Sequence, residues 1–269
     1  RKLFACSVLT LAGLAAGCAS SVTAADEGWR LMELRDYHLA LDAFDQALLD
    51  EESAEVQAGR AQALYSLDQL REAETAYLRA LGLNPREARW SLGLAIVQMA
   101  LGDLEAAILS CDQAIGLDPG LARAYFARGY ARQSWQQPDQ AIADFSEAIR
   151  IDPRYAEAYN SRGILLAGQG ALEAGLRDFR AALRLAPDLA SAHGNAAAAN
   201  YAKGEVEQAL VDLNSAIKIQ RRNPLFLKNR GIIYLDLGRR EAAVRDFEKA
   251  LSLTPDDHRL WELLSRAND

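Results

Sequence analysis

Three cysteines (Cys6, Cys18, Cys111) and three histidines (His38, His193, His258) are the side chains of this chain best suited to covalent or ligand chemistry. A metal site or a nucleophile and base pair needs such groups to converge, and metal motifs show as Cys/His pairs a few residues apart. No pair here has that spacing, and the histidines lie far apart along the chain. Cys111 has no His or other base beside it, so it reads as a small buried hydrophobe and not as a reactive thiolate. His193 takes a packing position in an apolar stretch. The acid pairs Asp42 and Asp45, or Asp256 and Asp257, read as solvated faces and turns. Gly102-Asp103 and Gly204-Glu205 lack the preceding strand that a phosphate loop requires, and read as helix ends. These readings predict a chain that is not an enzyme, with no metal, cofactor or small-molecule substrate.

The elements that carry these residues recur with a period of 34. Small residues return at Gly28, Ala61, Ala95, Gly129, Gly163, Ala197 and Gly231, and again at Ala40, Ala73, Ala107, Ala141, Gly175, Ala209 and Ala243. Alanines fill Ala47, Ala80, Ala114, Ala148, Ala182, Ala216 and Ala250, beside a bulkier series of Phe44, Tyr77, Cys111, Phe145, Phe179, Leu213 and Phe247. Closing prolines stand at Pro85, Pro119, Pro153, Pro187 and Pro255. Within one unit, Ala122 to Trp135 places Tyr125, Arg128, Gly129 and Arg132 on one helical face, and Pro138 opens a second helix carrying Ala141, Phe145 and Ala148. Neither helix can bury its apolar stripe alone, so neighbouring units must stack. Two helices per unit at this period predict an all-α solenoid that leaves no room for a separate catalytic domain.

Segments such as AYFARGYARQ and DQAIADFSEAIRIDP resemble the tetratricopeptide (TPR) repeat. The resemblance implies a right-handed superhelix of seven units within residues 18–257, at about 20–53, 54–87, 88–121, 122–155, 156–189, 190–223 and 224–257. Residues 258–269, with Trp261 and Leu264 in register, then read as a terminal capping helix. Glu52 and Arg221 replace closing prolines, and the unit from Ala88 has Ser91 and Gln98 at two usually bulky positions, with Trp90 next door.

At the N-terminus Arg1 and Lys2 precede an uncharged apolar run, Leu3 to Gly17, that ends at Cys18. A basic start, a short apolar core and small residues before a cleavage point describe a secretory signal peptide over residues 1–17, too short to span a bilayer comfortably. The ending Leu14-Ala15-Ala16-Gly17-Cys18 resembles a bacterial lipobox, with Ala15 where leucine is usual. The resemblance implies lipidation of Cys18 and a lipid-anchored envelope protein. Ala19 in place of an aspartate implies the outer membrane, with the body facing the periplasm. Cys6 then leaves with the signal, and Cys111 has no partner for a disulfide.

The formal charge is −7, and about −9 without Arg1 and Lys2. An acidic surface argues against nucleic acid, which needs clustered cations, and against docking on anionic lipid, so the membrane contact reduces to the anchor. The partner that remains is a protein. In the TPR family the second, fifth, ninth, twelfth and thirteenth positions of each first helix face a concave groove. That geometry implies a groove of Trp29, Met32, Tyr65, Leu92, Ile96, Met99, Phe126, Tyr130, Ile164, Tyr201, Ile232 and Leu235. Its few charges are Arg89, Arg123, Glu55, Glu157 and Asp236. Such a stripe suits an amphipathic helix or an extended apolar peptide. The Lys and Asn set with which TPR co-chaperones clamp a terminal carboxylate is missing, with Leu92, Ile96 and Ala127 in its place. Size and layout resemble TPR lipoproteins of tight-adherence (Flp, TadD type) and type IV pilus systems, implying a pilotin or assembly factor for a secretin subunit. The alternative is an envelope scaffold of the NlpI type, holding peptidoglycan hydrolases or a periplasmic protease.

Overall fold

The computed structural model describes residues 23–268, so the proposed signal segment and Cys18 lie outside the described residues. Fifteen α-helices follow one another, and no strand occurs among the described residues. Fourteen of them form seven antiparallel pairs. The pairs are α1 (Ala24–Glu33) with α2 (Tyr37–Asp50), α3 (Ala54–Ser66) with α4 (Leu70–Leu83), α5 (Ala88–Leu101) with α6 (Leu104–Leu117), and α7 (Ala122–Ser134) with α8 (Pro138–Ile151). They continue with α9 (Ala156–Gly168) and α10 (Leu172–Leu185), α11 (Ala190–Ala202) and α12 (Val206–Ile219), and α13 (Pro224–Asp236) and α14 (Arg240–Leu251). The last helix, α15, spans His258–Asn268. This is a TPR solenoid.

Each pair closes through one residue in the left-handed region: Arg35, Asp68, Gly102, Gln136, Gly170, Gly204 and Gly238, with φ between 59° and 85°. Glycine adopts this conformation freely, whereas an L side chain is strained by roughly 1–2 kcal/mol. Arg35, Asp68 and Gln136 therefore sit there against local preference, held by the helices on either side.

Inside each pair the small and bulky series meet. Where the first helix carries Gly, the second carries Phe: a Cβ on Gly163 would lie 2.8 Å from Phe179 Cε1, and one on Gly231 would lie 2.5 Å from Phe247 Cε1. Where the first helix carries Ala, the facing residue is Tyr77, Cys111 or Leu213. Tyr77 swings its ring instead over Gly93 in the next pair, 2.4 Å from where a Cβ would stand. Volume is thus matched within each layer, as close packing demands.

The pair α5 and α6 departs from its neighbours at Ser91 and Gln98, both buried. Ser110 donates to Gln98 Oε1 at 2.7 Å, joining the two helices by a buried polar contact. Trp90 packs against the core of the preceding pair.

The terminal helix buries Leu260, Leu263 and Ala267 against Leu227, Phe247 and Leu251. Trp261 turns outward at 53% exposure and donates Nε1 to the Pro255 carbonyl at 2.9 Å. The cap is thus closed by Leu260 and Leu263, with the register residue Leu264 packed at their edge and Trp261 turned out.

Candidate protein-binding groove

Successive first helices approach one another: α1 with α3, α3 with α5, α5 with α7, α9 with α11, α11 with α13, and α13 with α15. Successive second helices make no comparable contact. The first helices therefore form the inner layer, and their outward faces line the concave side. Between α7 and α9 the inner layer is looser, and aromatic side chains occupy the space. Phe126 lies 4.8 Å from Tyr155 and 5.5 Å from Phe145, centroid to centroid.

Two cavities open on this side. One, of about 620 Å³, is bordered by Met32, Tyr65, Leu92, Ile96 and Leu121, with Arg89 and Arg123 on its edge. The other, of about 430 Å³, is bordered by Leu92, Ile96, Met99, Phe126, Tyr130 and Tyr155, with Arg123 and Glu157. Leu92, Ile96 and Arg123 border both, so the two cavities adjoin along α5 and α7 and give the concave side an apolar channel bordered by residues from α1 to α11.

Of the twelve residues that family geometry implies, the channel brings together Met32, Tyr65, Leu92, Ile96, Met99, Phe126 and Tyr130. The other five lie elsewhere. Trp29 packs edge-on against Phe44, with centroids 5.2 Å apart. Ile164 is half exposed beyond the second cavity. The Tyr201 hydroxyl donates to Asp236, tying α11 to α13. Ile232 and Leu235 pack with the C-terminal core under α15.

The turn residues Leu121, Tyr155 and Leu189 line the channel from just before α7, α9 and α11. Their spacing of 34 was available in the sequence, but the helix-face rule covers only helical positions and passes over them.

A second arrangement that helix-face reasoning misses stands behind the groove. Arg128, Arg162 and Arg230 each make a forked ion pair with an aspartate 16 residues on, Asp144, Asp178 and Asp246 respectively. All three carboxylates are buried. Each arginine also reaches back to the preceding pair, to Asp112, Ser146 and Asn214. Arg132 adds a contact of 2.9 Å to Asp144. Burial works against the Arg128 cation, but its bonds to Asp144 and Asp112 outweigh it and raise its pKa above the usual guanidinium value. Asp45, a solvated acid on sequence grounds, is half exposed and also pairs with Arg60 at 2.6 Å. These pairs staple consecutive layers, and the buried carboxylates Asp144, Asp178 and Asp246 are neutralised inside the solenoid.

The remaining chemistry is sparse. Burial pushes the Cys111 thiol up to about 12, which keeps it protonated at neutral pH. The His193 ring shares a 3.2 Å hydrogen bond with the Pro187 carbonyl. No group of three or more His, Cys, Asp or Glu converges into a metal-sized cluster among the described residues. No helix among them is long and apolar enough to cross a membrane.

Fold and groove define a helix-pair solenoid with a concave apolar channel, the architecture of protein-interaction scaffolds. Family models described as "Tetratricopeptide repeat" match residues 59–122 and 224–257, and one described as "TPR repeat" matches 136–170. A search of curated proteins finds no match. Among solved structures, the chain resembles the APC/C hetero-tetramer Cut9–Hcn1 at 16% identity and a TM-score of 0.74, over 90% of this chain and 51% of that one. It thus spans about half the length of that relative. It resembles PilW, described as a widely conserved type IV pilus biogenesis factor, at 20% identity and a TM-score of 0.71, over 78% of this chain and 98% of PilW. YrrB, described as a TPR protein with an unusual peptide-binding site, matches at 26% identity and a TM-score of 0.55, over 70% and 97% of the two chains.

Proposed function

We propose that this protein is a lipid-anchored assembly factor of a bacterial envelope, which holds a segment of a partner protein in its concave channel. The observation that carries the reading is the pair of adjoining apolar cavities on the concave side. Leu92 and Ile96 border both of them, and together the cavities suit the apolar face of a short peptide segment. A helix lying there would set apolar anchors at three- and four-residue steps against α5 and α7. The description of YrrB supports a peptide as the ligand, and that of PilW supports pilus biogenesis as the setting. The lipobox-like sequence ending at Cys18 supports the anchor and an outer-membrane location facing the periplasm.

Photo-crosslinking from position 130 in native membranes tests this reading. A secretin subunit captured through one short segment is the expected product, whereas cell-wall hydrolases or a protease would move the protein to the scaffold class. Once that segment is in hand, Phe126→Ala with Tyr130→Ala should weaken its binding by roughly 2–4 kcal/mol, the scale of aromatic hot spots. Calorimetric titration beside a helicity check reads this, and unchanged affinity in a folded variant would overturn the groove. The anchor has its own test. Cys18→Ser should leave the body folded and shift it from the membrane pellet to the soluble fraction, and a variant still in the pellet would refute lipidation there.

A further inference from the structure

The channel is apolar, yet two cations stand on its edge without internal partners. Arg89 and Arg123 occupy the second position of α5 and α7, both exposed, and both border the larger cavity. The arginines behind the channel are consumed in ion pairs, Arg128 and Arg132 with Asp144 and Arg162 with Asp178. Arg89 and Arg123 make no ion pair or side-chain hydrogen bond among the described residues. Arg123 is also electrostatically close to the pocket wall. Burial pushes the Tyr155 hydroxyl up to about 12, and the Arg123 charge pulls it the other way. The same helix position holds Glu55 on α3 and Glu157 on α9, so the row of charges reads acid, base, base, acid.

A pair of unspent guanidinium groups between two carboxylates, beside an apolar channel, favours a ligand of the opposite pattern. A carboxylate placed at the centre gains two forked donors, while one placed opposite Glu55 or Glu157 meets a like charge. The protein as a whole is acidic, at −7, so attraction for an acidic partner must come from this local pair and not from the overall field. Building on the groove reading above, we infer that the bound segment is an acidic-apolar peptide. Its Asp or Glu side chains face Arg89 and Arg123, and its adjacent large apolar side chains enter the channel at Ile96, Met99, Phe126 and Tyr130.

The test uses the chain immobilised in folded form and a phage-displayed library of random peptides of about 16 residues, long enough for about four helical turns. Selected peptides should pair Asp or Glu with neighbouring Leu, Ile, Met or Phe. Replacing one such carboxylate by its amide should weaken binding roughly threefold to tenfold at physiological salt. The double variant R89E/R123E should instead select Lys or Arg beside the same apolar residues. Peptides that depend on Phe126 and Tyr130 but show no enrichment in acids would overturn the charge inference and leave the groove reading standing. Peptides indifferent to both F126A/Y130A and the arginine reversal, or no enrichment at all, would overturn both.

Discussion

Asp144→Ala should cost roughly 3–5 kcal/mol of stability, the scale for removing one partner from a buried charge network. The Asp144 carboxylate is 2% exposed and accepts from Arg128 Nε, Arg128 Nη2 and Arg132 Nη1. Without it two largely buried guanidinium groups keep their charge and lose their best acceptor, since only Asp112, on the rim, still reaches Arg128. Because a solenoid is stabilised by its interfaces, the loss falls on the interfaces that α7 and α8 make with their neighbours and spreads only as far as those interfaces carry it. Urea denaturation with hydrogen exchange on α7 and α8 would read it. A loss below about 1 kcal/mol would mean that the pair behaves as a surface ion pair. Asp178→Ala should cost less, because Arg162 keeps its bond to Ser146 and no second arginine converges there.

Phe179→Ala should cost roughly 3–5 kcal/mol through the cavity it leaves between α9 and α10. The Phe179 ring is 1% exposed and rests on Gly163. The converse change, Gly163→Ala, should cost about 1–3 kcal/mol by overpacking, since the new Cβ would sit 2.8 Å from the ring. The two sites are coupled, so the penalties should not add. In a Phe179→Leu background the Gly163→Ala penalty should shrink, as the pairing of Ala197 with Leu213 in another layer suggests, leaving the part set by the Gly175 carbonyl oxygen 3.1 Å from the new Cβ. Thermal and urea unfolding of the four-member cycle would measure the coupling. Additive penalties would show that the ring and the glycine are not the matched pair.

The 34-residue recurrence carried the fold class because a solenoid is built from contacts between sequence neighbours. The candidate groove was legible only in part. Leu92, Ile96, Met99, Phe126 and Tyr130 follow from their places on first helices, and the channel collects all five. Tyr155 and Leu189 escaped because they stand in turns. The arginine and aspartate ladder escaped for another reason. Arg128, Arg162 and Arg230 recur in phase, but Leu94 and Ala196 break the series, and a charge in a helix reads as solvated until its partner is placed.

The sequence by itself determined the all-α repeat architecture, the matched small and bulky residues, and the acidic charge balance of the chain. Each of these depends on period, volume or count, which are local quantities. Only the tertiary structure decided which inner-face residues stay open. Ile232 and Leu235 pack with the core under α15, and Tyr201 is held by Asp236, whereas the partly buried Ile96 and Phe126 and the exposed Tyr130 border a cavity. It also decided which charges are spent: Arg128 is absorbed between two layers, while Arg123, five residues earlier on the same helix, borders the channel. Exposure and pairing depend on what the next layer brings within a few ångströms, and no single repeat carries that information.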